Sequence, residues 1–161
     1  MKRIDVNSPK YPNLYTIIDN ENFEWLNQWK WYCDKGYVRR NIKIDGKRNH
    51  VYMHRVIIDA PEELQVDHKN LNTLDNRKSN LRLVTHSGNQ FNRKKYRTNT
   101  SGFKGVTWNK NHQKWQAQLQ LNKKRMYLGF FESCRDAAMA YNIAAEKYHG
   151  EYARGNEMSS L

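Results

Sequence analysis

Residues 64–85 read LQVDHKNLNTLDNRKSNLRLVT, and this stretch sets the expectations for the rest of the chain. Its apolar residues predict one short strand over 64–68 and another over 81–84, joined by a long polar loop. Thr85 is a good N-cap for a helix that continues over 86–94. The predicted order is therefore strand, loop, strand, helix.

The Asp67-His68 pair, at the end of the first predicted strand, has the residue types that phosphodiester hydrolysis needs. A neutral imidazole can activate water, and one hard divalent cation can stabilise the charge on the phosphate and the leaving oxygen. Asp67 and the amide oxygen of Asn89 are suitable ligands for Mg²⁺, which prefers oxygen and keeps several waters. Neighbouring residues of a strand face opposite sides, so a bend is needed to bring Asp67 and His68 to one phosphate.

The net charge of +12 is unevenly distributed along the chain. Residues 67–98 contain eight Lys and Arg against two Asp and Glu, and so carry half of the excess. A polyanion is the natural partner of such a stretch, because each neutralised phosphate releases condensed counterions. A solvated basic surface is the alternative. Residues 96–101 are polar and are predicted to form a basic linker.

Cysteine content and hydropathy indicate where the protein works. Cys33 and Cys134 are far apart and can form neither a disulfide framework nor a four-cysteine zinc site. The N-terminus lacks the apolar run of a signal peptide, and no apolar stretch is long enough to cross a membrane. We therefore expect a cytoplasmic protein without a membrane partner.

The first part of the chain is predicted to form strands with one short helix. A strand is expected over 15–18, and a helix is expected over 19–31 with Asp19 or Asn20 as its cap. A hairpin is expected within 37–58, because Asp45-Gly46 supplies the positive φ angles of a two-residue type I′ turn.

The last part of the chain is predicted to form a sheet followed by a helix. Three strands are expected, over 103–108, 114–121 and 125–131. Ser133 then caps a helix over 134–149, which ends at Gly150. One face of this helix is expected to lie against the sheet, with Ala137, Tyr141, Ala144, Ala145 and Tyr148 on it.

Several short pieces occur together and in order in the middle of the chain. They are Asp67-His68, Asp75-Asn76-Arg77, Asn80-Leu81-Arg82 and Val84-Thr85, followed by Ser87-Gly88-Asn89-Gln90. Together they closely resemble the His-Asn-His (HNH) endonuclease family, and within it the phage and intron-borne homing endonucleases with a ββα-metal fold. The resemblance extends upstream through Tyr52-Met53-His54-Arg55, where His54 is expected to be buried support for the site.

The resemblance implies a role for each matching residue. His68 matches the general base, and Asp67 and Asn89 match the metal ligands, with Asn92 as the alternative to Asn89. Asn80 matches the central asparagine, which holds the loop and the histidine-bearing strand together. The final motif position is Asn89 rather than histidine, which implies a one-metal site with Mg²⁺, or Mn²⁺ as the alternative, and disfavours Zn²⁺.

A second resemblance covers about residues 102–156. Phe103-Lys104-Gly105-Val106, Lys114 to Leu119, Tyr127 to Phe131 and Ala137 to Tyr141 occur in one order. They resemble the DNA-binding domain of plant Apetala/ethylene-response-factor proteins, a three-stranded antiparallel sheet backed by one helix. In that family the exposed face of the sheet enters the major groove.

This second resemblance implies a set of DNA contacts. On the sheet they are Lys104, Trp115, Gln118, Gln120, Arg125 and Tyr127. From the basic segment before it we add Arg93, Lys94, Lys95 and Arg97. Sheet packing is the alternative for Trp115 and Tyr127. Gln118 stands where the plant pattern commonly has a glutamate, so the plant target preference does not transfer.

We therefore predict an α+β protein with two modules. Residues 1–95 form the nuclease module, with its ββα-metal core at about 60–95, and residues 102–161 form the DNA-binding domain. The predicted function is metal-dependent hydrolysis of double-stranded DNA by a monomer, with a dimer as the alternative. The rival function is a non-catalytic, sequence-specific DNA-binding regulator, against which the presence of Asp67, His68 and Asn89 argues.

Overall fold

The computed structural model describes residues 1–85, 89, 92, 95, 98–121 and 124–158. The chain folds into two compact units, 1–86 and 87–161. Small antiparallel sheets and helices build both units, which confirms the predicted α+β class. The helix predicted over 86–94 lies mostly outside the described residues, so the predicted end of the nuclease module at residue 95 stays a prediction.

The first unit begins with a two-stranded sheet and a short helix. Strand β1 spans Lys2–Asp5 and pairs antiparallel with β2, Tyr15–Ile18. Helix α1 follows at Asn20–Leu26. The predicted strand is confirmed, and the predicted helix is confirmed except that it ends at Leu26 rather than at residue 31. The sequence pattern does not predict β1, because Ile4 is its one buried residue and a four-residue segment is too short to show an alternating pattern.

A three-stranded antiparallel sheet comes next. Its strands are β3 at Tyr32–Asp34, β4 at Tyr37–Ile44 and β5 at Lys47–Tyr52, with β4 in the centre. The turn between β4 and β5 has φ values of 49° at Asp45 and 75° at Gly46. Both are positive, as a type I′ turn requires, so the predicted hairpin is confirmed.

The returning strand of this hairpin ends earlier than predicted. Helix α2 occupies Met53–Ile57, where the hairpin was expected to continue to Ile58. The reason is the spacing of the buried residues: Met53, His54 and Ile57 all enter the core, which a helical turn allows and an alternating strand does not.

The motif itself forms an antiparallel ribbon with its long loop packed on β2. Strand β6 spans Gln65–His68 and pairs with β7, Leu81–Val84. Within the loop, Leu74 accepts a 2.8 Å hydrogen bond from the backbone N–H of Ile17, and the N–H of Asn76 donates to Ile17 at 2.8 Å. The loop therefore has fixed backbone partners, although it is long and polar.

Asp19 connects α1 to the same loop. It is the N-cap residue of α1, as predicted, but its side chain makes no capping bond. Its carboxylate instead accepts a 2.8 Å hydrogen bond from the backbone N–H of Lys78. Side chains from all three sheets of this unit and from α1 and α2 form one apolar core: Ile4, Val6, Ile18, Leu26, Trp31, Cys33, Val38, Met53, Ile57, Val66 and Leu81.

The second unit is a three-stranded antiparallel sheet with one helix. The strands are β8 at Val106–Asn109, β9 at Lys114–Leu121 and β10 at Lys124–Phe131, with β9 in the centre. Helix α3 spans Cys134–His149, and the Ser133 hydroxyl accepts hydrogen bonds from the first-turn N–H groups of Arg135 and Asp136. This arrangement confirms the predicted sheet, helix and cap. No helix among the described residues is long and apolar enough to span a membrane.

Helix α3 buries a slightly different face from the one predicted. Ala137, Tyr141, Ala144 and Ala145 are buried as expected. Tyr148 is 41% exposed, and the adjacent His149 is buried in its place, with Nε2 3.0 Å from the backbone oxygen of Gln120. A hydrogen bond to the sheet accounts for this choice, which residue spacing alone does not reveal.

Candidate active site

His68 lies at the end of β6 and is buried, with 4% of its surface exposed. Its Nε2 lies 3.2 Å from Oδ1 of Asn76, and the ring of His54 packs edge-on at 5.3 Å between centroids. Burial lowers the pKa of His68, while the hydrogen bond of its ring to the Asn76 amide oxygen and the charges of Asp67 and Asp75 act in the opposite direction. The imidazole is therefore neutral at neutral pH, the form that can accept a proton.

Asp67 precedes His68 and is held by a separate set of contacts. Its cross-strand partner is Arg82, whose Nε and Nη2 donate to Asp67 Oδ2 at 2.8 and 2.6 Å. The pairing His68–Leu81 is the next step of the ladder, so the carboxylate and the imidazole leave opposite faces of the ribbon. Charge-assisted bonds from Arg82 fix the position of a carboxylate that is only 4% exposed.

Asn80 joins the two ends of the loop. Its amide Nδ2 donates to the backbone oxygen of Asp75 at 2.8 Å, and its Oδ1 accepts from the backbone N–H of Asn70 at 3.0 Å. The N–H of Lys69 donates to the backbone oxygen of Asn80 at 2.9 Å. These are contacts of a side chain that braces the loop, and the assignment of Asn80 to the catalytic set stays a prediction.

Asp75 is a second buried carboxylate of the loop. Arg77 donates to both of its oxygens at 2.7 Å, and Asn70 Nδ2 donates at 2.9 Å. The hydrogen bonds from Arg77 lower the pKa of Asp75, so the carboxylate stays charged. The Asp-Asn-Arg piece of the motif thus ties the loop to itself, a role that the sequence reasoning missed although the piece was recognised.

His54 lies beside His68 on α2. Its ring stacks on Tyr52 at 5.4 Å and lies 5.6 Å from Tyr37, and its Nδ1 has no hydrogen-bond partner among the described residues. Burial, with the nearby His68 and Arg55, lowers the pKa of His54 to about 3. His54 is therefore a second neutral imidazole that packs against the first, the position expected of a supporting residue.

The remaining predicted residues near the motif are only partly described. Asn89 is half-buried in helical backbone, and Asn92 is buried. Lys95 is exposed and donates from Nζ to the backbone oxygen of Gly102 at 2.7 Å. Three predicted phosphate contacts lie outside the described residues: Arg93, Lys94 and Arg97. Metal ligation by Asn89 stays a prediction.

The outer face of the C-terminal sheet carries four of the predicted DNA contacts. Ala117 and Leu119 are buried beneath α3, so the β9 residues between and beyond them face away from the helix. The register pairs Gln118 with Tyr127 and Gln120 with Arg125. The predicted contacts on this outer face are therefore Gln118, Gln120, Arg125 and Tyr127.

Two predicted contacts lie elsewhere. Trp115 has the same parity as Ala117 and packs against the core beneath the helix, so its place on the outer face was predicted wrongly. The ammonium of Lys104 lies 5.9 Å from the ring of Tyr141, a residue of α3, which places it on the helix side. The sequence pattern could have excluded Trp115 from the face that carries Gln118. The two residues are an odd number of positions apart on one strand, so their side chains point to opposite faces.

The sequence reasoning also missed two aromatic residues of the outer face. Phe130 pairs with Gln116 across β9 and β10, and the ring of His112 stacks on it at 4.1 Å. Tyr127 packs edge-on against Phe130 at 5.2 Å. A bulge between Tyr127 and Gly129 shifts the parity of β10, so simple alternation from Tyr127 does not place Phe130 on this face.

A buried, neutral histidine beside a buried carboxylate, on a ribbon braced by an asparagine-rich loop, has the residue types that phosphodiester hydrolysis needs. Comparison with known proteins agrees. A family model described as HNH endonuclease matches residues 51–91. An uncharacterized HNH endonuclease of Acanthamoeba polyphaga mimivirus is 27% identical over 146 residues, which cover 89% of this chain and 75% of that protein.

Two further relatives cover parts of the chain. Protein 3.8 of Escherichia phage T7 is 31% identical over 94 residues, 58% of this chain and 77% of that protein. An AP2-like ethylene-responsive transcription factor of Arabidopsis thaliana is 35% identical over 86 residues, 48% of this chain but only 15% of the plant protein. No solved structure matches the chain.

The chain contains an HNH endonuclease domain, matched at residues 51–91, and is similar to a viral HNH endonuclease. It is accordingly an enzyme that cuts DNA, and the family generally uses a divalent metal. The rival prediction of a non-catalytic regulator loses its basis. The resemblance to the plant DNA-binding domain is carried by one partial match.

Proposed function

We propose that this protein is a metal-dependent, homing-type endonuclease of double-stranded DNA, with His68 as its general base. The observation that carries the proposal is the state of His68: buried, neutral, hydrogen-bonded through Nε2 and adjacent in sequence to the buried carboxylate of Asp67. A neutral imidazole with one nitrogen engaged can take a proton from water with the other.

The donor set around Asp67 fits a hard divalent cation. Among the described residues no group of three or more His, Cys, Asp and Glu could hold a metal, so a transition-metal cage is not formed there. One carboxylate with one amide oxygen suits Mg²⁺, which retains several waters. We assign Asp67 and Asn89 as the ligands, with Mn²⁺ as the substitute ion. The bound ion would stabilise charge on the phosphate and on the leaving oxygen.

Arg82 gives Asp67 the geometry that such a ligand needs. Two charge-assisted bonds from Arg82 converge on Oδ2 of Asp67 and fix the position of the carboxylate. Because the buried charge is paired, its desolvation costs less free energy than that of an unpaired charge. His68, on the opposite face of β6, is held by different partners. We propose that ligand and base are kept apart in this way until DNA reaches the site.

The C-terminal sheet is proposed to bind the major groove. No Asp or Glu occurs in β8, β9 or β10, and the outer face presents Arg125, Tyr127 and the glutamines of β9. Arg can read guanine or neutralise phosphate, and Gln can bond adenine bidentately. We propose that this surface selects the DNA target. We also propose that the protein acts as a monomer, which makes one nick each time it binds DNA, and that it works in the cytoplasm.

Plasmid nicking tests the metal dependence. Supercoiled plasmid carrying the genomic DNA that flanks the gene is incubated with the protein and Mg²⁺, Mn²⁺, Zn²⁺ or EDTA. We expect nicked circles with Mg²⁺ and Mn²⁺ and none with EDTA. Cleavage that is equally fast in EDTA would refute the metal-dependent mechanism, and activity with Zn²⁺ but not Mg²⁺ would refute the assigned oxygen donor set.

A further inference from the structure

A buried chain of hydrogen bonds runs from His68 to the N-terminal strand β2. Nε2 of His68 lies 3.2 Å from Oδ1 of Asn76, and Nδ2 of Asn76 donates to the hydroxyl of Thr16 at 2.8 Å. That hydroxyl donates to the backbone oxygen of Leu74 at 2.7 Å. Asn76 and Thr16 are both completely buried. The chain therefore runs through the interior and ends on a group that can only accept.

The direction of these bonds is fixed by their last member. The Leu74 oxygen has no proton to give, so the 2.7 Å contact with Thr16 needs the hydroxyl proton between the two oxygens. With its proton committed, the Thr16 oxygen can only accept from Asn76, which must present its NH₂ group. The amide oxygen of Asn76 is then the atom that faces His68, and it requires an N–H from Nε2.

The opposite amide orientation is much less favourable. If the Asn76 side chain were flipped, its oxygen would need the Thr16 proton, and two oxygens 2.7 Å apart would be left at Thr16 and Leu74 without a proton between them. Because the pair is buried, water cannot relieve that repulsion.

We propose that Thr16 and Asn76 are positioning residues that hold His68 in the tautomer with its proton on Nε2, so that Nδ1 keeps the lone pair that accepts a proton from water. This inference rests on the proposed function, in which His68 is the base. It extends the machinery to a strand far upstream of the motif. Backbone bonds between Ile17 and the loop at Leu74 and Asn76 hold Thr16 in register with the amide.

The tautomer can be measured directly in the full-length protein. Uniform ¹⁵N labelling and long-range ¹H–¹⁵N correlation spectra distinguish a protonated from an unprotonated ring nitrogen. The chain has 6 histidines, and the His68 signals are assigned by their absence from the His68→Ala spectrum. We expect Nε2 to be protonated and Nδ1 unprotonated in the wild-type protein at pH 7.5. A wild-type His68 with its proton on Nδ1 would overturn the proposal without any variant.

Substitutions at Thr16 test the relay. Thr16→Val keeps the shape but removes the hydroxyl, and Thr16→Ser restores a hydroxyl. Thr73→Val is the matched control. Thr73 lies in the same loop as Leu74 and Asn76, and its hydroxyl also donates to a backbone oxygen, that of Gly36, but it has no bond to the His68 chain. We expect the Nδ1–H tautomer to appear in Thr16→Val only, with kcat for DNA cleavage lowered about tenfold, the value of one hydrogen bond, and KM unchanged.

The outcomes separate this inference from the proposed function. If His68→Ala cuts DNA at the wild-type rate, the base assignment fails, while the spectra still report whether the relay fixes the tautomer. If Thr16→Val keeps the wild-type tautomer, or loses no more kcat than Thr73→Val, the relay has no positioning role. If Thr16→Ser fails to recover the Nε2–H tautomer, the hydroxyl is not the operative group.

Discussion

Acidification should destabilise the first unit through His54. The rings of Tyr37, Tyr52 and His68 surround this side chain, and burial lowers its pKa to about 3, whereas an unfolded histidine titrates at the ordinary value of 6.5. Because the folded-state pKa lies below the unfolded one, folding favours the neutral form. The contribution of neutral His54 to the free energy of unfolding is fully present above pH 6.5 and is lost as the pH falls from 6.5 towards 3.

The size of the effect follows from the two pKa values of His54. At pH 5 the unfolded histidine is protonated, while the folded one stays neutral until the pH approaches 3. The gap of about 1.5 pH units between pH 5 and the unfolded pKa, at about 1.4 kcal/mol per unit, lowers the free energy of unfolding by about 2 kcal/mol relative to pH 7. That is a large part of the stability of a small domain.

The assay compares the full-length protein with two variants at pH 7 and pH 5. His54→Phe keeps an aromatic ring in the core and cannot be protonated. His50→Phe is the matched control, because His50 is exposed on the adjacent strand. Hydrogen exchange with mass spectrometry on peptides from residues 1–86 gives the opening free energy of this unit, corrected for the pH dependence of intrinsic exchange.

We expect the wild type and His50→Phe to lose about 2 kcal/mol more than His54→Phe between pH 7 and pH 5. His68 contributes to the loss in all three proteins, since burial lowers its pKa as well. An equal loss in His54→Phe and wild type would show that His54 does not enter the core as a neutral side chain, and the reasoning from burial would be refuted.

Three further predictions concern the loop, the second unit and DNA binding. Asn80→Ala should lower the unfolding free energy of residues 1–86 by about 2 kcal/mol, because the buried backbone oxygen of Asp75 and the backbone N–H of Asn70 both lose their bonds; urea denaturation checks this, and a loss below 0.5 kcal/mol would argue against the brace. Gly105→Ala should cost the second unit about 3 kcal/mol by calorimetry, since φ is +74° and the added Cβ would meet the Tyr141 ring and, at 2.6 Å, the Gln118 backbone oxygen. Arg125→Ala should weaken duplex binding about tenfold and reduce the salt slope by about one in fluorescence anisotropy; an unchanged slope would place Arg125 off the DNA.

Local patterns predicted the elements of the chain well. The ribbon of β6 and β7, the turn at Asp45-Gly46 and the cap at Ser133 were predicted because each depends on residues close in sequence. The place of Asp67 and His68 on strand β6 was predicted for the same reason, while their roles as ligand and base stay predictions.

Contacts between distant segments could not be predicted in the same way. The partners of His68 include Thr16 through Asn76, and His54 from α2, and nothing in their local sequence indicates that they meet. The face of Trp115 was a different failure: strand β9 was predicted correctly, but the parity set by Ala117 and Leu119 was not applied to it. A resemblance placed the residue where alternation would have excluded it.

Single-turnover cleavage by His68→Ala tests the central claim most directly. The variant, the wild type and the exposed-histidine control His50→Ala are compared on a DNA substrate that the wild type cuts, with Mg²⁺ in excess and DNA affinity measured in parallel. We predict that His68→Ala loses cleavage by about 10² to 10⁴-fold, while its affinity for DNA stays within about threefold of the wild type. Cleavage by His68→Ala at a rate close to that of His50→Ala would contradict the assignment of His68 as the general base.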